Sequence, residues 1–190
     1  MKTILSSLLF AATAMVVIPA FAADTYTIDP NHSFQKFSYH HLGFSHPEGR
    51  FDKTSGSITL DMARHSGSAD VSIAVNSVST GVPALDEHLQ GADFFDAAKY
   101  PTITFKSHDF KFDGDKLVAV TGDLSIHGVT RPVTLDVTNF ACHPHPMTKK
   151  PACGVDASAT IKRSEFGVGA YVPAVSDEVK LTLEVEAMQQ

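Results

Sequence analysis

The chain has 190 residues, a formal net charge of −6 and a hydrophobic share of 43%. An acidic balance with no basic stripe excludes binding to a phosphate backbone, so no nucleic-acid partner is expected. The length suits a single domain with a sizeable core once an N-terminal leader is set aside.

That leader comes first. Lys2 starts it, and Ile4 to Ile18 is an apolar run broken only by Ser6, Ser7 and Thr13. Pro19 ends the run, and Ala20-Phe21-Ala22 supplies the small-x-small pattern of a cleavage site. Residues 1–22 therefore read as a cleaved bacterial export signal and 23–190 as the mature domain, secreted to the periplasm. The competing reading is an uncleaved membrane anchor, and Pro19 with the Ala-x-Ala pattern argues against it. No cysteine follows the run, which disfavours a lipid-modified N-terminus.

The mature chain then reads as strands with period-2 alternation. Over 32–41, Gln35, Phe37, Tyr39 and His41 share one face, and Phe34, Lys36, Ser38 and His40 the other. His46-Pro47-Glu48-Gly49 is a turn. Residues 50–60 form a second strand, with Gly56 a bulge or a point of close approach. Residues 69–75 form a third. Residues 83–98 do not alternate: Pro83 suits a first helical turn, Leu85 and Leu89 are i and i+4, and Gly91 ends the helix. Asp93 is placed to cap a second short turn, and Phe94 and Phe95 give that segment an apolar anchor.

Strands resume over 102–112, with Ile103 and Phe105 on one face, then an Asp113-Gly114 turn. Residues 117–126 group Val118, Val120, Gly122, Leu124 and Ile126, and His127-Gly128 turns the chain. Residues 131–141 group Val133, Leu135 and Val137, and 153–163 group Val155, Ala157, Ala159 and Ile161. Residues 164–177 are irregular, and 178–187 carry Val179, Leu181, Leu183 and Val185. Eight or so antiparallel strands with one apolar face each must pack on a second sheet or close on themselves. The fold class is all-β, an antiparallel eight-stranded up-and-down barrel with one short helical segment; a sandwich is the alternative.

Thirteen phenylalanines and no tryptophan point to a large dry core or a dry cavity. Gly122, Ala157 and Ala159 are small residues on inward faces, and they favour the cavity. Alternation places Phe37, Tyr39, His41, Phe51, Phe105, Leu124, Leu135, Ala157, Ala159, Leu181 and Leu183 on the lumen, with Phe94 and Phe95 near one end. His88 and Arg131 are candidates to meet a polar headgroup at the mouth.

The two cysteines, Cys142 and Cys153, should form a disulfide in an oxidising compartment. The ten residues between them contain three prolines and read as a loop joining two strands of a hairpin. The rival reading takes Cys142, His143, His145 and Cys153 as a zinc or copper site.

Four separated stretches carry a resemblance to a known family. They are IDPNHSFQKFSYHHLGFSHPEGRFDKTSGSITLD, DEHLQGADFFDAAKYPTITFKS, VTGDLSIHGVTRPVTLDV, and the last strands from ATIKRSEFGVGA to VKLTLEVEA. In that order, over about 26 to 187, the chain resembles the YceI-like family of bacterial periplasmic polyisoprenoid-binding proteins. The resemblance implies a lipocalin-like barrel with an apolar tunnel. It implies a bound isoprenoid or quinone-like lipid, such as an isoprenoid quinone, a prenyl phosphate or a fatty amide or acid, and no covalent cofactor. A hydrophobic small molecule is then the partner. A transient membrane contact and a homodimer stay open.

Chemistry finds little support. Ser33-Phe34-Gln35-Lys36 matches S-x-x-K by letter, but i and i+3 on a strand point to opposite sides. No G-x-S-x-G elbow or H-E-x-x-H motif is present. The expectation is a binding protein, not an enzyme, with no metal site. Ten histidines keep one alternative in play, a metal- or haem-associated periplasmic redox accessory protein.

Overall fold

The computed structural model describes residues 23–190; the predicted leader lies outside them. Strand β1 covers Asp24–Ile28, β2 Phe34–His41, β3 Glu48–Phe51, β4 Thr54–Asp61, β5 Ser66–Ala74 and β6 Val78–Ser79. Helix α1 spans Pro83–Gln90. Strand β7 covers Thr102–Asp113, β8 Lys116–Ile126, β9 Val129–Pro144, β10 Pro151–Lys162 and β11 Val175–Gln189. All pairings are antiparallel.

The early strands come in interrupted pairs. β1 and β2 both lie along the long strand β11, and β3 and β4 continue one another past Asp52-Lys53. β5 and β6 do the same across a 3₁₀ turn at Val75–Ser77. Eight passages result, each bonded to the next, and β1 and β2 on β11 close the ring. The expected eight-stranded barrel is what forms. Closure pairs every strand but the short β6 on both sides and turns the apolar faces inward.

The extra interruptions have local causes. At the break between β1 and β2, the fully buried Ser33 hydroxyl donates to the Glu186 carbonyl at 3.2 Å and accepts from the Glu186 N–H at 3.1 Å. Gly56 has φ +140°, and a Cβ there would lie 2.1 Å from the Asp70 carbonyl oxygen. The close approach expected at Gly56 is therefore real, whereas the break in that strand falls at Asp52-Lys53.

Pro83 opens α1, and Gly91 follows its last residue. The second short turn expected at Asp93 forms as hydrogen-bonded turns and not as helix, with the Phe94 and Asp96 N–H groups donating to the Gly91 carbonyl. β9 and β10 run further than the prolines suggested, with Pro144 opposite Pro151, so the loop shrinks to 145–150. Both prolines sit at the last rung, where a missing N–H costs the ladder least. Cys142 and Cys153 face each other across this hairpin and are disulfide-bonded, with Cα atoms 4.1 Å apart.

Candidate functional site: an apolar lumen

Every strand but the two-residue β6 sends side chains into one cavity of about 570 Å³. From β2 come Phe37, Tyr39 and His41, and from β3 Phe51. β7 supplies Phe105, β8 Leu124, β9 Leu135, β10 Ala157, and β11 Leu181 and Leu183. The row Gln35–Leu183–Ala157–Val137 runs directly across four neighbouring strands at mid-barrel. Phe37 and Phe51 pack with ring centroids 5.8 Å apart, and Phe51 meets Phe95 edge-on at 5.5 Å.

One end of the barrel is the mouth. Leu85, His88 and Leu89 of α1 line it together with Phe94 and Phe95 from the turns that follow. The His88 ring lies 5.0 Å from Phe94 and 6.3 Å from Tyr171, so these three rings pack together at this end. The headgroup candidate His88 is therefore at the rim. His41 also lines the cavity, while His40 is exposed and stacks on His46 at 4.6 Å.

Two predicted positions lie off the cavity lining. Arg131 is exposed and does not line the cavity. It stands opposite the buried Leu124, but its long side chain carries the cation out to water near the Thr130 carbonyl. Ala159 is half-buried and also absent from the lining; its single methyl stays in the wall opposite Leu181. Gly122 adds no lumen volume either. A Cβ there would lie 2.7 Å from the Phe105 ring, so the absent side chain makes room for phenylalanine.

Several lining residues escape the alternation. Three strands carry an extra residue: His108 in β7, Val118 in β8 and Thr138 in β9. Each bulge exchanges the two faces beyond it. Phe110, Leu117 and Phe140 turn inward as a result, and Val118, expected inside, is not in the lining. The deep end closes with these residues, Tyr26, Leu60 and the buried Cys153.

Arg163 is a further residue missed. It is buried at the mouth and lines the cavity. Its guanidinium donates to the carbonyls of Ser176, Val168, Ala170 and Val175 at 2.6–2.9 Å. These bonds gather the 163–177 segment around one cation. Burial pulls the Arg163 pKa down, partly offset by Asp177 and Tyr39. Burial raises the Tyr39 hydroxyl. The only sequence signal was an arginine entering an irregular Gly- and Pro-containing stretch.

The rival chemical readings meet specific contacts. The sulfurs of Cys142 and Cys153 are bonded to each other, so they offer no thiolate to a metal. The His145 Nδ1 accepts from the Met147 and Thr148 N–H groups at 3.2 Å, capping its own turn. Lys36 pairs with Glu184, and Ser33 is bonded to the β11 backbone, so the two do not meet as a catalytic pair. Among the described residues no group of three or more His, Cys, Asp or Glu is gathered as a metal site.

Known proteins bear on the whole chain. The family described as "YceI-like domain" matches residues 26–187. Protein YceI of Escherichia coli O157:H7 is 39% identical over 193 residues, with all of both chains covered. A UPF0312 protein of Pseudomonas aeruginosa strain LESB58 is 37% identical over the same span. The crystal structure of Burkholderia cenocepacia BcnA superposes with a TM-score of 0.69 at 28% identity, covering 84% of this chain and 98% of that one. A polyisoprenoid binding domain from Saccharophagus degradans shares the fold with a TM-score of 0.67 at 20% identity, covering 87% and 98%. With the profile spanning nearly every strand and full-length relatives close to 40% identical, the chain belongs to the YceI-like family.

Proposed function

We propose that this protein is a periplasmic carrier that holds a long isoprenoid or similar amphiphilic lipid in its barrel and catalyses no reaction. The isoprenoid quinones, prenyl phosphates and fatty amides or acids are the ligand classes that suit it. The observation that carries the reading is the 570 Å³ lumen, walled chiefly by aromatic and aliphatic side chains from all eight passages of the barrel. Such a wall offers a hydrocarbon chain dispersion contacts and release from water, about 0.8 kcal/mol per buried CH₂ before ordering costs. The shared fold of the polyisoprenoid binding domain supports the same class.

The leader reading of 1–22 assigns the compartment, and the Cys142–Cys153 bond suits an oxidising one. Lipid then enters past His88, Phe94 and Tyr171. Leu42, Phe44, Tyr171 and Val172 stand exposed around that rim, Phe44 at 87%, and give the mouth an apolar surface for transient contact with a membrane.

The test is the organic extract and the ultraviolet–visible spectrum of protein purified from the periplasm. A long-chain lipid in the extract supports the carrier. A haem or copper band with no lipid would replace it with the redox reading. Turnover of a lipid ester or prenyl phosphate that is lost in Ser33→Ala or His88→Ala would make the protein an enzyme.

A further inference from the structure

One polar atom stands out in the lumen wall. Gln35 is on the inward face of β2, lines the cavity and is only 5% exposed. Its side-chain oxygen accepts from the hydroxyl of Thr54, itself 2% exposed. Its Nε2 has no hydrogen-bond partner, and among the described residues it is the one buried side-chain nitrogen or oxygen so placed. Turning the amide over would exchange the atom facing Thr54 and still leave one of the two unpaired.

A buried donor without a partner is a standing cost, and native proteins seldom keep one. A lone water is a poor remedy here. It needs two to four polar partners. The ladder neighbours Phe51 and Leu183 and the next inward residue, Phe37, bring no polar side chain. The site is also deep: Gln35 lies six residues along β2 from His41 at the rim, about 20 Å at the rise of a strand.

We propose that Gln35 is a polar subsite for an uncharged, carbonyl-bearing lipid whose carbonyl oxygen comes to rest mid-lumen and accepts from Nε2. This rests on the carrier reading and narrows its ligand class. A carboxylate or phosphate does not fit the same place. It would lose its hydration against a neutral amide, with no cation among Gln35's ladder neighbours. An anionic lipid would keep its charge at the mouth, near Arg163, and send only its tail inside.

The experiment compares three probes of matched chain, oleamide, oleate and the corresponding hydrocarbon, by displacement of an apolar fluorescent dye. The variants are Gln35→Met, which keeps the length of the side chain, and the double variant Gln35→Leu/Thr54→Val, which removes both polar partners. The expected result is a roughly tenfold loss for oleamide in both variants, the loss of one hydrogen bond to a buried donor. Oleate and the hydrocarbon should stay within about twofold. Equal change for all three probes, or none for oleamide, overturns the subsite and leaves the carrier reading standing. A loss for oleate as large as that for oleamide overturns the restriction to uncharged lipids. If none of the three displaces dye from the unmodified protein, the subsite and the carrier reading fall together.

Discussion

Ala157→Phe tests the lumen at its narrowest assumption, that a ligand occupies mid-barrel. Ala157 is buried, lines the cavity and stands in the row between Leu183 and Val137, one strand beyond Leu183 from Gln35. A phenyl ring there projects into a cavity of about 570 Å³, not into packed core. The fold should therefore lose less than the roughly 1–3 kcal/mol usual for overpacking. A ligand loses more. A ring that excludes about five methylenes, at about 0.8 kcal/mol each, removes about 4 kcal/mol. That is nearly three powers of ten in affinity. Dye displacement by a long isoprenoid measures the affinity, and urea unfolding measures the stability. Ser158→Phe, one position along on the other face, is the control and should leave affinity within about threefold. An Ala157→Phe protein that folds and binds the full-length ligand as the unmodified protein does would refute occupancy of mid-lumen.

Other consequences are local. Thiol labelling of the denatured, unreduced protein should find no free thiol, because Cys142 and Cys153 are bonded. Reduction should cost about 2–3 kcal/mol, the chain-entropy value for a loop of this size. Gly56→Ala should destabilise by roughly 2–4 kcal/mol in urea unfolding, since a Cβ would meet the Asp70 carbonyl at 2.1 Å and φ is +140°. At the mouth, Ser164 donates to the Asp177 carboxylate from its hydroxyl at 2.7 Å and from its backbone N–H at 2.8 Å. These bonds hold the Asp177 pKa below its ordinary value. A depressed carboxyl stabilises the fold at neutral pH and down to the unfolded value of about 3.9, and that contribution is lost as pH falls through the lower folded value. Asp177→Asn should therefore flatten the acid limb of a stability–pH curve below about pH 4; an unchanged limb would contradict the assignment.

The fold was legible in the sequence because alternation and turn chemistry agreed along most of the chain. Phe37, Tyr39, Leu124, Leu135 and Leu181 sit where period-2 counting puts them. The counting failed beyond His108, Val118 and Thr138, since a bulge leaves no hydrophobic signature of its own and yet exchanges the faces. Phe110, Leu117 and Phe140 were hidden for that reason. Face alone was a second blind spot. Ala159 and Arg131 sit opposite inward-facing leucines, yet neither lines the lumen: Ala159 is half-buried in the wall and Arg131 extends to solvent. β1 was invisible as a strand, being five residues long and set off from β2 only by the Ser33 bridge to β11. Gln35 was assigned the correct face, but its unpaired amide depends on the contacts of Thr54, Phe51 and Leu183, which only the closed barrel brings around it.

The central claim is that a long hydrocarbon chain lies inside the barrel, and its length dependence tests that claim most directly. A series of isoprenoid alcohols that differ by one isoprene unit should be titrated against the purified protein. Each added unit that still fits buries further methyl and methylene groups, so affinity should rise by at least about tenfold per unit. The rise should stop at one length, when the 570 Å³ lumen is full. An affinity that does not change with chain length, in a protein that nonetheless binds the shortest member, would place the ligand outside the lumen and contradict the account.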